Sequence, residues 1–194
     1  GKDEGMERGH GPAVREMMHH ALDRVLSQMD AFSFADLGCG NGWVVRLAAQ
    51  HKQCRQADGF DGATHMIEKA KAVDSENGYH LAMFPQTQPS QQYNLIHSME
   101  FIYYLHDPKQ MLQSIHDDWL ADEGWAVIGI DHYAENEESL EWPTALDVHM
   151  STFSEHEWIE MWNDVGFEEV HAWRANQSPG KPGTLAIIGK KNQK

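Results

Sequence analysis

The fold of this chain is decided by the stretch Asp36-Leu37-Gly38-Cys39-Gly40-Asn41-Gly42. A short apolar run at residues 31–35 precedes it, and a helical pattern that begins at Trp43 follows it. This order predicts a strand, a glycine turn and the first turn of a helix. Glycine tolerates positive φ and has no Cβ, so a ligand can lie directly on the backbone amides of such a turn. We interpret the turn as a cofactor-binding loop.

The spacing of the glycines indicates which cofactor the loop suits. A dinucleotide loop of the form Gly-x-Gly-x-x-Gly would need a glycine where Trp43 stands, and no Gly-Lys-Ser/Thr of a phosphate loop follows. Both absences argue against a nicotinamide oxidoreductase and against a phosphate-binding loop. An acid able to hold a ribose diol, Asp61, stands at the end of the next predicted strand, at residues 54–60. The pattern favours a cofactor held by its ribose over one held by its phosphates.

With these residues in place, the chain resembles the class I S-adenosylmethionine-dependent methyltransferases over residues 30–190. The resemblance implies an α/β, Rossmann-like, doubly wound sheet of seven strands in the order 3-2-1-4-5-7-6, mostly parallel with an antiparallel last strand. It also implies S-adenosylmethionine as cofactor and S-adenosylhomocysteine as product. Beyond the glycine loop, the motifs that carry it are Gly59-Phe60-Asp61-Gly62-Ala63, Met66–Ala70, Tyr93–Ser98, Phe101–Leu105, Glu123–Val127 and Val165-Gly166-Phe167.

The rest of the chain has the alternation of strands and helices that is typical of a parallel sheet covered on both faces. We predict one domain over residues 1–194, with an N-terminal helix and cap at 1–30 and an acidic, lid-like insertion at 132–152. The first helix is expected to begin at Pro12. Strands are predicted at 32–37, 54–60, 79–82, 93–98, 124–131, 167–173 and 183–189, and helices at 12–29, 43–51, 64–72, 108–120 and 154–165.

The ends of the predicted strands supply candidate cofactor-binding residues, because ligands of open parallel sheets collect there. The carboxylate of Asp61 can accept both ribose hydroxyls, and Gly38 and Gly40 allow close approach of the methionine moiety. Cys39 is interpreted as a small side chain beside the ligand, without the surroundings of a reactive thiol. The resemblance implies that Asp36 holds the ammonium of the methionine moiety, that Ser98 borders that moiety, and that Gly62, Met66 and Phe84 border the adenine.

The chain departs from the family pattern at the end of the third strand. The family has an acid there that takes the adenine amino group, whereas this chain has Met83 and no Asp or Glu between His80 and Gln92. We therefore expect backbone groups near Met83 and Phe84 to contact the adenine.

The residues that would act on a methyl acceptor are less distinct. Methyl transfer from a sulfonium is an in-line displacement that depends mainly on alignment in a dry pocket, and a base is needed only for some acceptors. Each candidate also has an ordinary explanation as a packing or capping residue. No histidine spacing matches a metal site. The candidate bases are Tyr104, His106, Asp131, His132 and His149.

The formal net charge of −15 is concentrated in one stretch of the chain. Between Lys109 and Arg174 there are sixteen acidic residues and no Lys or Arg. Such a surface repels a phosphate backbone, so we expect no nucleic-acid substrate. The acids are consistent with two interpretations: a solvated face suited to solubility or high salt, or a field that attracts a cationic acceptor.

Two cysteines, with no disulfide framework and no apolar run of membrane-spanning length, predict a cytoplasmic protein with no membrane partner. The first hypothesis is a methyltransferase for a small-molecule acceptor, held beneath residues 132–152 and the segment before Pro12. The alternative is a non-catalytic protein of the same fold that binds or senses S-adenosylmethionine. The sequence leaves the acceptor and the oligomeric state open.

Overall fold

The computed structural model describes residues 2–193, and its centre is a seven-stranded sheet. The strands are β1 Phe32–Leu37, β2 Cys54–Asp61, β3 Gly78–Leu81, β4 Tyr93–Met99, β5 Leu120–Ile130, β6 Glu168–Ala175 and β7 Thr184–Lys190. The helices are α1 Lys2–Gln28, α2 Trp43–Ala49, α3 Thr64–Val73, α4 Pro108–Ser114, α5 Trp142–Leu146 and α6 Glu155–Val165. Short 3₁₀ turns occupy Ile102–Tyr104 and Glu137–Glu141, and a π-helical turn occupies Ile115–Trp119.

The order of the strands across the sheet is β3-β2-β1-β4-β5-β7-β6, which confirms the predicted topology. Strands β1 to β5 run parallel, and β7 is antiparallel to both of its neighbours. The parallel register places Asp36 of β1 beside His97 of β4 and Leu37 beside Phe60 of β2. The carboxyl ends of these strands therefore meet at one edge of the sheet, beside the switch in strand order.

Helices cover both faces of the sheet and bury two apolar cores. On one face, Val14 of α1, Val44 of α2 and Ile67 of α3 pack together with the strands. On the other face, Leu112 of α4 and Trp162 of α6 fill the second core. No helix among residues 2–193 combines the length and the apolar character needed to cross a bilayer.

The first helix starts ten residues earlier than predicted, at Lys2 instead of Pro12. Glycine is a weak helix former, and Pro12 is typical of a first turn, so the sequence suggested a later start. In the structure Pro12 lies inside α1, and a Cβ added at Gly5 or Gly9 would meet no atom within 4 Å. The glycines thus occupy open positions on a helix that packing on the sheet supports.

Two boundaries near the fifth strand also differ from the prediction. Helix α4 ends at Ser114, and the chain continues as a π turn that brings Trp119 edge-on to Phe60, with their ring centroids 4.9 Å apart. Strand β5 begins at Leu120, four residues before the predicted start. Its first residues include Glu123 with φ of 67°, so they lack the alternation by which a strand is recognised.

Candidate functional site

A cavity of about 520 Å³ lies at the carboxyl ends of β1 and β4. The glycine loop forms one wall, and the first turns of α1 form another with Met6 and His10. These two residues stand four apart, so they share one helix face. The other lining residues are Asp36, Gly38, Cys39, Gly40, Asn41, Trp43, Val44, Met66, His97, Met99 and Glu100.

The backbone conformation of the loop requires glycine at three positions. Gly38, Gly40 and Gly42 have φ of 80°, 53° and 84°, a region that side chains with a Cβ rarely adopt. An added Cβ at Gly38 would come within 3.0 Å of Phe101, and one at Gly40 within 3.3 Å of the Met66 methyl carbon. The loop therefore presents backbone to the cavity, as its composition predicts.

Asp61 ends β2 and holds the glycine loop in place. Its Oδ2 accepts a hydrogen bond of 2.9 Å from the Gly40 amide, and its Oδ1 accepts one of 2.9 Å from the Ala63 amide. Each carboxylate oxygen can accept a further hydrogen bond. The geometry thus leaves Asp61 able to take two hydroxyl groups while it orients the loop.

Asp36 has a partner that the sequence did not reveal. Its Oδ1 lies 2.8 Å from Nδ1 of His97, and both residues are buried. The other ring nitrogen of His97, Nε2, has no partner within the described protein. The register of β1 and β4 brings this pair together, and local sequence patterns do not contain that information.

Of the remaining residues predicted to bind the cofactor, only one lines the 520 Å³ cavity. The Ser98 hydroxyl is buried and donates to the Leu37 carbonyl at 2.8 Å, which ties β4 to β1. Met83 is 61% exposed, and a Cβ added at Gly62 would lie 3.4 Å from the Ala82 carbonyl oxygen. Phe84 packs edge-on to Phe101, with their ring centroids 5.1 Å apart. Met66 lines the 520 Å³ cavity, whereas Ser98, Met83, Gly62 and Phe84 do not.

Cys39 lies inside the loop with its thiol out of contact with solvent. Burial and the nearby charge of Asp36 raise the pKa of this thiol well above its usual range. The protonated thiol is not a nucleophile, so its chemistry agrees with a small side chain that fills space.

Four of the predicted bases, Tyr104, His106, His132 and His149, do not line the 520 Å³ cavity. Tyr104 and His106 line a second, open cavity of about 870 Å³ together with Phe84, and His149 stacks on His106 with ring centroids 3.9 Å apart. His132 is buried, and burial lowers its pKa. Its Nδ1 lies 2.9 Å from the Ser139 carbonyl oxygen and its Nε2 lies 2.7 Å from the Thr152 hydroxyl, so both nitrogens are used within residues 132–152.

Asp131 lies beside the 520 Å³ cavity. Its Oδ1 accepts a hydrogen bond of 2.7 Å from the Thr184 hydroxyl, and its Oδ2 lies 3.7 Å from Nδ1 of His10. Its backbone amide donates to the carboxyl group of Glu100. Asp131 therefore connects α1, β7 and the end of β4 at one point.

Glu100 is a cavity residue that the sequence gave no reason to select. It has φ of 56°, and its carboxyl group accepts hydrogen bonds from the Tyr103 hydroxyl and the Asp131 amide. Burial and, to a lesser extent, the charge of Asp131 raise the pKa of Glu100 to about 8. The group is thus largely protonated at neutral pH, next to a charged Asp131.

The described residues 132–152 line neither of these cavities. Glu135 accepts from the Glu155 amide at the start of α6, and the Ser151 hydroxyl donates to the Leu105 carbonyl at 2.7 Å. The wall that faces the glycine loop comes instead from α1. Within residues 2–193, no group of three or more His, Cys, Asp or Glu side chains is placed to hold a metal ion.

Residues 14–172 match the family model described as a methyltransferase domain. The chain belongs to this methyltransferase family. Its cofactor is S-adenosylmethionine and its product from that cofactor is S-adenosylhomocysteine. No curated protein sequence matches the chain significantly.

Several solved structures share the fold of this chain. A Haloferax volcanii putative methyltransferase, solved in complex with the Trm112 methyltransferase activator, is 24% identical with a TM-score of 0.76, over 100% of this chain and 95% of that one. The Bradyrhizobium japonicum N-methyltransferase NodS, solved in complex with S-adenosylhomocysteine, is 18% identical with a TM-score of 0.70. The match covers 94% of this chain and 89% of NodS. A Mesorhizobium loti S-adenosylmethionine-dependent methyltransferase is 18% identical with a TM-score of 0.69. The match covers 86% of this chain and 95% of that one.

The residues of this methyltransferase fit the cofactor that the family implies. At Gly38 and Gly40 the loop offers backbone without a Cβ, and a side chain at Gly40 would narrow this surface. Asp61, which bonds the loop from outside the residues that line the cavity, has acceptor capacity for a ribose. His97 lines the cavity, and its buried Nε2 has no partner in the described protein.

Proposed function

We propose that this methyltransferase transfers the methyl group to the nitrogen of a small amine bound in the 520 Å³ cavity. The observation that carries the proposal is that the described cavity wall holds no lysine or arginine. Among the described lining residues are the carboxyl-bearing Asp36 and Glu100, and none is Lys or Arg. Trp43 adds an aromatic face, which also favours an ammonium group. A carboxylate or phosphate acceptor would find no positive side chain here.

The protonation of Glu100 supports an amine over an anionic acceptor. Because its pKa is raised to about 8, a small electrostatic change decides its charge near neutral pH. An ammonium group beside it favours the ionised carboxylate, whereas an anion keeps it protonated. Amine binding should therefore release a proton, which calorimetry in buffers of different ionisation enthalpy detects.

For the cofactor, we propose that Asp61 holds the ribose and that Gly38 and Gly40 lie against the methionine moiety. Asp36, together with its partner His97, would hold the ammonium of that moiety. The cofactor supplies a methyl group on a positively charged sulfur, and the protein supplies alignment and a dry surface. The other residues proposed to border it are Cys39, Gly62, Met66, Met83, Phe84 and Ser98.

We further infer that the protein works on small molecules in the cytoplasm and not on nucleic acid or at a membrane. The sixteen acids between Lys109 and Arg174 oppose contact with a phosphate backbone. Both cysteines are free thiols, in keeping with a reducing compartment. Residues 1–30 remain the segment proposed to shape the acceptor side, whereas the acidic insertion at 132–152, proposed from the sequence as a lid, lines neither cavity.

The proposal is tested by a methylation screen with three matched acceptors: 2-phenylethylamine, 4-ethylphenol and 3-phenylpropanoic acid. Transfer of labelled methyl groups from S-adenosylmethionine should be fastest to the amine. A clear preference for the carboxylic acid would contradict the amine assignment while leaving the methyltransferase family unaffected.

A further inference from the structure

We propose that His10 accepts the proton of the methyl acceptor and that Asp131 positions His10 for this task. The inference rests on the proposed amine acceptor and adds the residues that deprotonate it. It assigns a catalytic role to the first turns of α1, which precede the part of the chain that matches the family model.

The position of His10 is the first support for this role. Its side chain lines the 520 Å³ cavity opposite the glycine loop and is 27% exposed, so it is reachable by an acceptor without facing bulk solvent fully. Helix α1 is fixed against the sheet by Val14 and Met17, which are fully buried. A base on a fixed helix keeps its distance to the reacting atoms, which catalysis requires.

The contact with Asp131 is the second support. Nδ1 of His10 lies 3.7 Å from Oδ2 of Asp131, close enough for an ion pair once the ring is protonated. The Thr184 hydroxyl holds the other oxygen of Asp131 at 2.7 Å, so the carboxylate cannot rotate freely. Because Nδ1 faces Asp131, Nε2 remains for the acceptor. A carboxylate that stabilises the imidazolium is the arrangement that makes a histidine an effective base.

The surroundings of the pair determine how it responds to pH. Glu100 is largely protonated at neutral pH, so Asp131 supplies the negative charge beside His10. The charged groups of the neighbouring strands are engaged elsewhere, Arg174 of β6 with Glu155 and Lys190 of β7 with Glu123. The titratable groups that share the cavity or the pair with His10 are Asp36, Cys39, His97, Glu100 and Asp131.

The reaction balances without a further reactant. The ammonium form of the acceptor gives one proton to Nε2 of His10, and the free electron pair of the amine nitrogen forms the new N–C bond. The S–C bond of the sulfonium breaks and its electron pair stays on sulfur, which gives S-adenosylhomocysteine. The imidazolium, stabilised by Asp131, then releases the proton to water.

The test uses His10→Ala, Asp131→Asn and the matched control His20→Ala. Alanine is the strongest helix former, so His10→Ala should leave α1 intact. His20 lies on the same helix but stacks on Trp173, with centroids 4.3 Å apart, outside the cavity. The measurements are kcat and KM over a pH series with the fastest acceptor of the screen, the Kd of S-adenosylhomocysteine, and rescue of activity by added imidazole.

We expect His10→Ala to lower kcat by about 10²–10³-fold, within the range of general base catalysis, and Asp131→Asn to lower it by about tenfold. The rate of His10→Ala should still rise with pH, since the amine itself must lose its proton, and added imidazole should restore part of the activity of this variant. His20→Ala should behave as the parent. The Kd of S-adenosylhomocysteine should stay within about twofold, since the cofactor does not depend on the pair.

A kcat of His10→Ala within about threefold of the parent would overturn the inference. The inference would also be overturned if His10→Ala lost S-adenosylhomocysteine affinity together with activity and imidazole restored neither. That result would mean that His10 has a structural role. If the parent methylates the phenol and not the amine, the proposed acceptor is wrong, and the same variants measured with the phenol still decide the role of His10.

Discussion

At the scale of single residues, Asp61 is the main candidate for binding the cofactor, and its carboxylate accepts hydrogen bonds from the Gly40 and Ala63 amides. Asp61→Ala should weaken the binding of both S-adenosylmethionine and S-adenosylhomocysteine by about 1.5–3 kcal/mol, since two ribose hydroxyls lose a charged acceptor. Asp61→Asn keeps one acceptor oxygen and should lose less. If calorimetry gives Asp61→Ala the same affinity for both cofactor forms as the parent, Asp61 does not bind the ribose.

Glu100 gives a second prediction at this scale, because its pKa is raised to about 8 from the ordinary 4.5. The folded protein holds this proton more tightly than the unfolded chain does. The resulting stability is fully present below about pH 4.5 and is lost as pH rises toward 8. Relative to Glu100→Gln, the parent should therefore lose roughly 4 kcal/mol of its free energy of unfolding over that window.

Urea unfolding at several pH values measures this difference. Glu138→Gln, which removes an exposed carboxyl group, is the matched control for the change of one charge. A difference between parent and Glu100→Gln that does not change with pH would mean that the Glu100 carboxyl group is not held in its neutral form.

Some residues of the candidate site could be expected from the sequence and others could not, for a physical reason. The glycine turn and the position of Asp61 at the end of β2 could be predicted because local turn chemistry and spacing along the chain determine them. His97, Glu100 and His10 could not, because they reach the cavity through strand register, an unusual φ and helix packing. These are properties of the folded chain and leave no mark on the neighbouring sequence.

At the scale of elements, the glycine loop and α1 form the two sides of the cavity. Gly40→Val should abolish cofactor binding and leave most of the fold, because a branched side chain resists φ of 53° and an added Cβ would already lie 3.3 Å from Met66. Gly9→Ala is the matched control, since no atom lies within 4 Å of its added Cβ. It should bind the cofactor normally and gain about 0.5–1 kcal/mol in stability.

Fluorescence titration with S-adenosylhomocysteine and thermal melts of both variants decide this prediction. Normal cofactor binding by Gly40→Val would mean that the loop is only a turn. A loss of stability in Gly9→Ala would instead indicate that α1 is not helical near residue 9.

The same elements show how far patterns along the chain predict the fold. The first strand was predicted with its observed bounds, since its apolar run precedes an unmistakable glycine turn. The predicted start of α1 was wrong because Gly5, Gly9 and Gly11 oppose a helix locally, whereas in the structure the helix that packs on the sheet from Ala13 onward extends back to Lys2. The π turn after Ser114 was also missed, because burial of Trp119 decides it and not helix propensity.

At the scale of the whole molecule, the distribution of charge is the main feature. The exposed Glu137, Glu138 and Glu141 lie on a segment that lines neither cavity, which favours a solvated face over a field directed at the acceptor. Replacing these three residues by Gln should change the KM for an amine by less than about twofold at physiological salt. A larger increase in KM would instead support the interpretation that the acidic residues form a field that attracts a cationic acceptor.

The acidic surface also predicts that the protein does not bind tRNA or duplex DNA at about 150 mM salt, because no lysine or arginine offsets the sixteen acids between Lys109 and Arg174. Filter binding or fluorescence anisotropy measures this directly. Retention of tRNA under these conditions would contradict the small-molecule acceptor.

The central claim is that the 520 Å³ cavity is the place where cofactor and acceptor meet. A crystal structure of the protein with S-adenosylhomocysteine tests it most directly. We expect both ribose hydroxyls on Asp61, the homocysteine ammonium at the Asp36–His97 pair, and the sulfur facing His10 and Glu100. A product bound in the second cavity with its sulfur beside Tyr104 and His106, and with Asp61 free of contact, would contradict this placement.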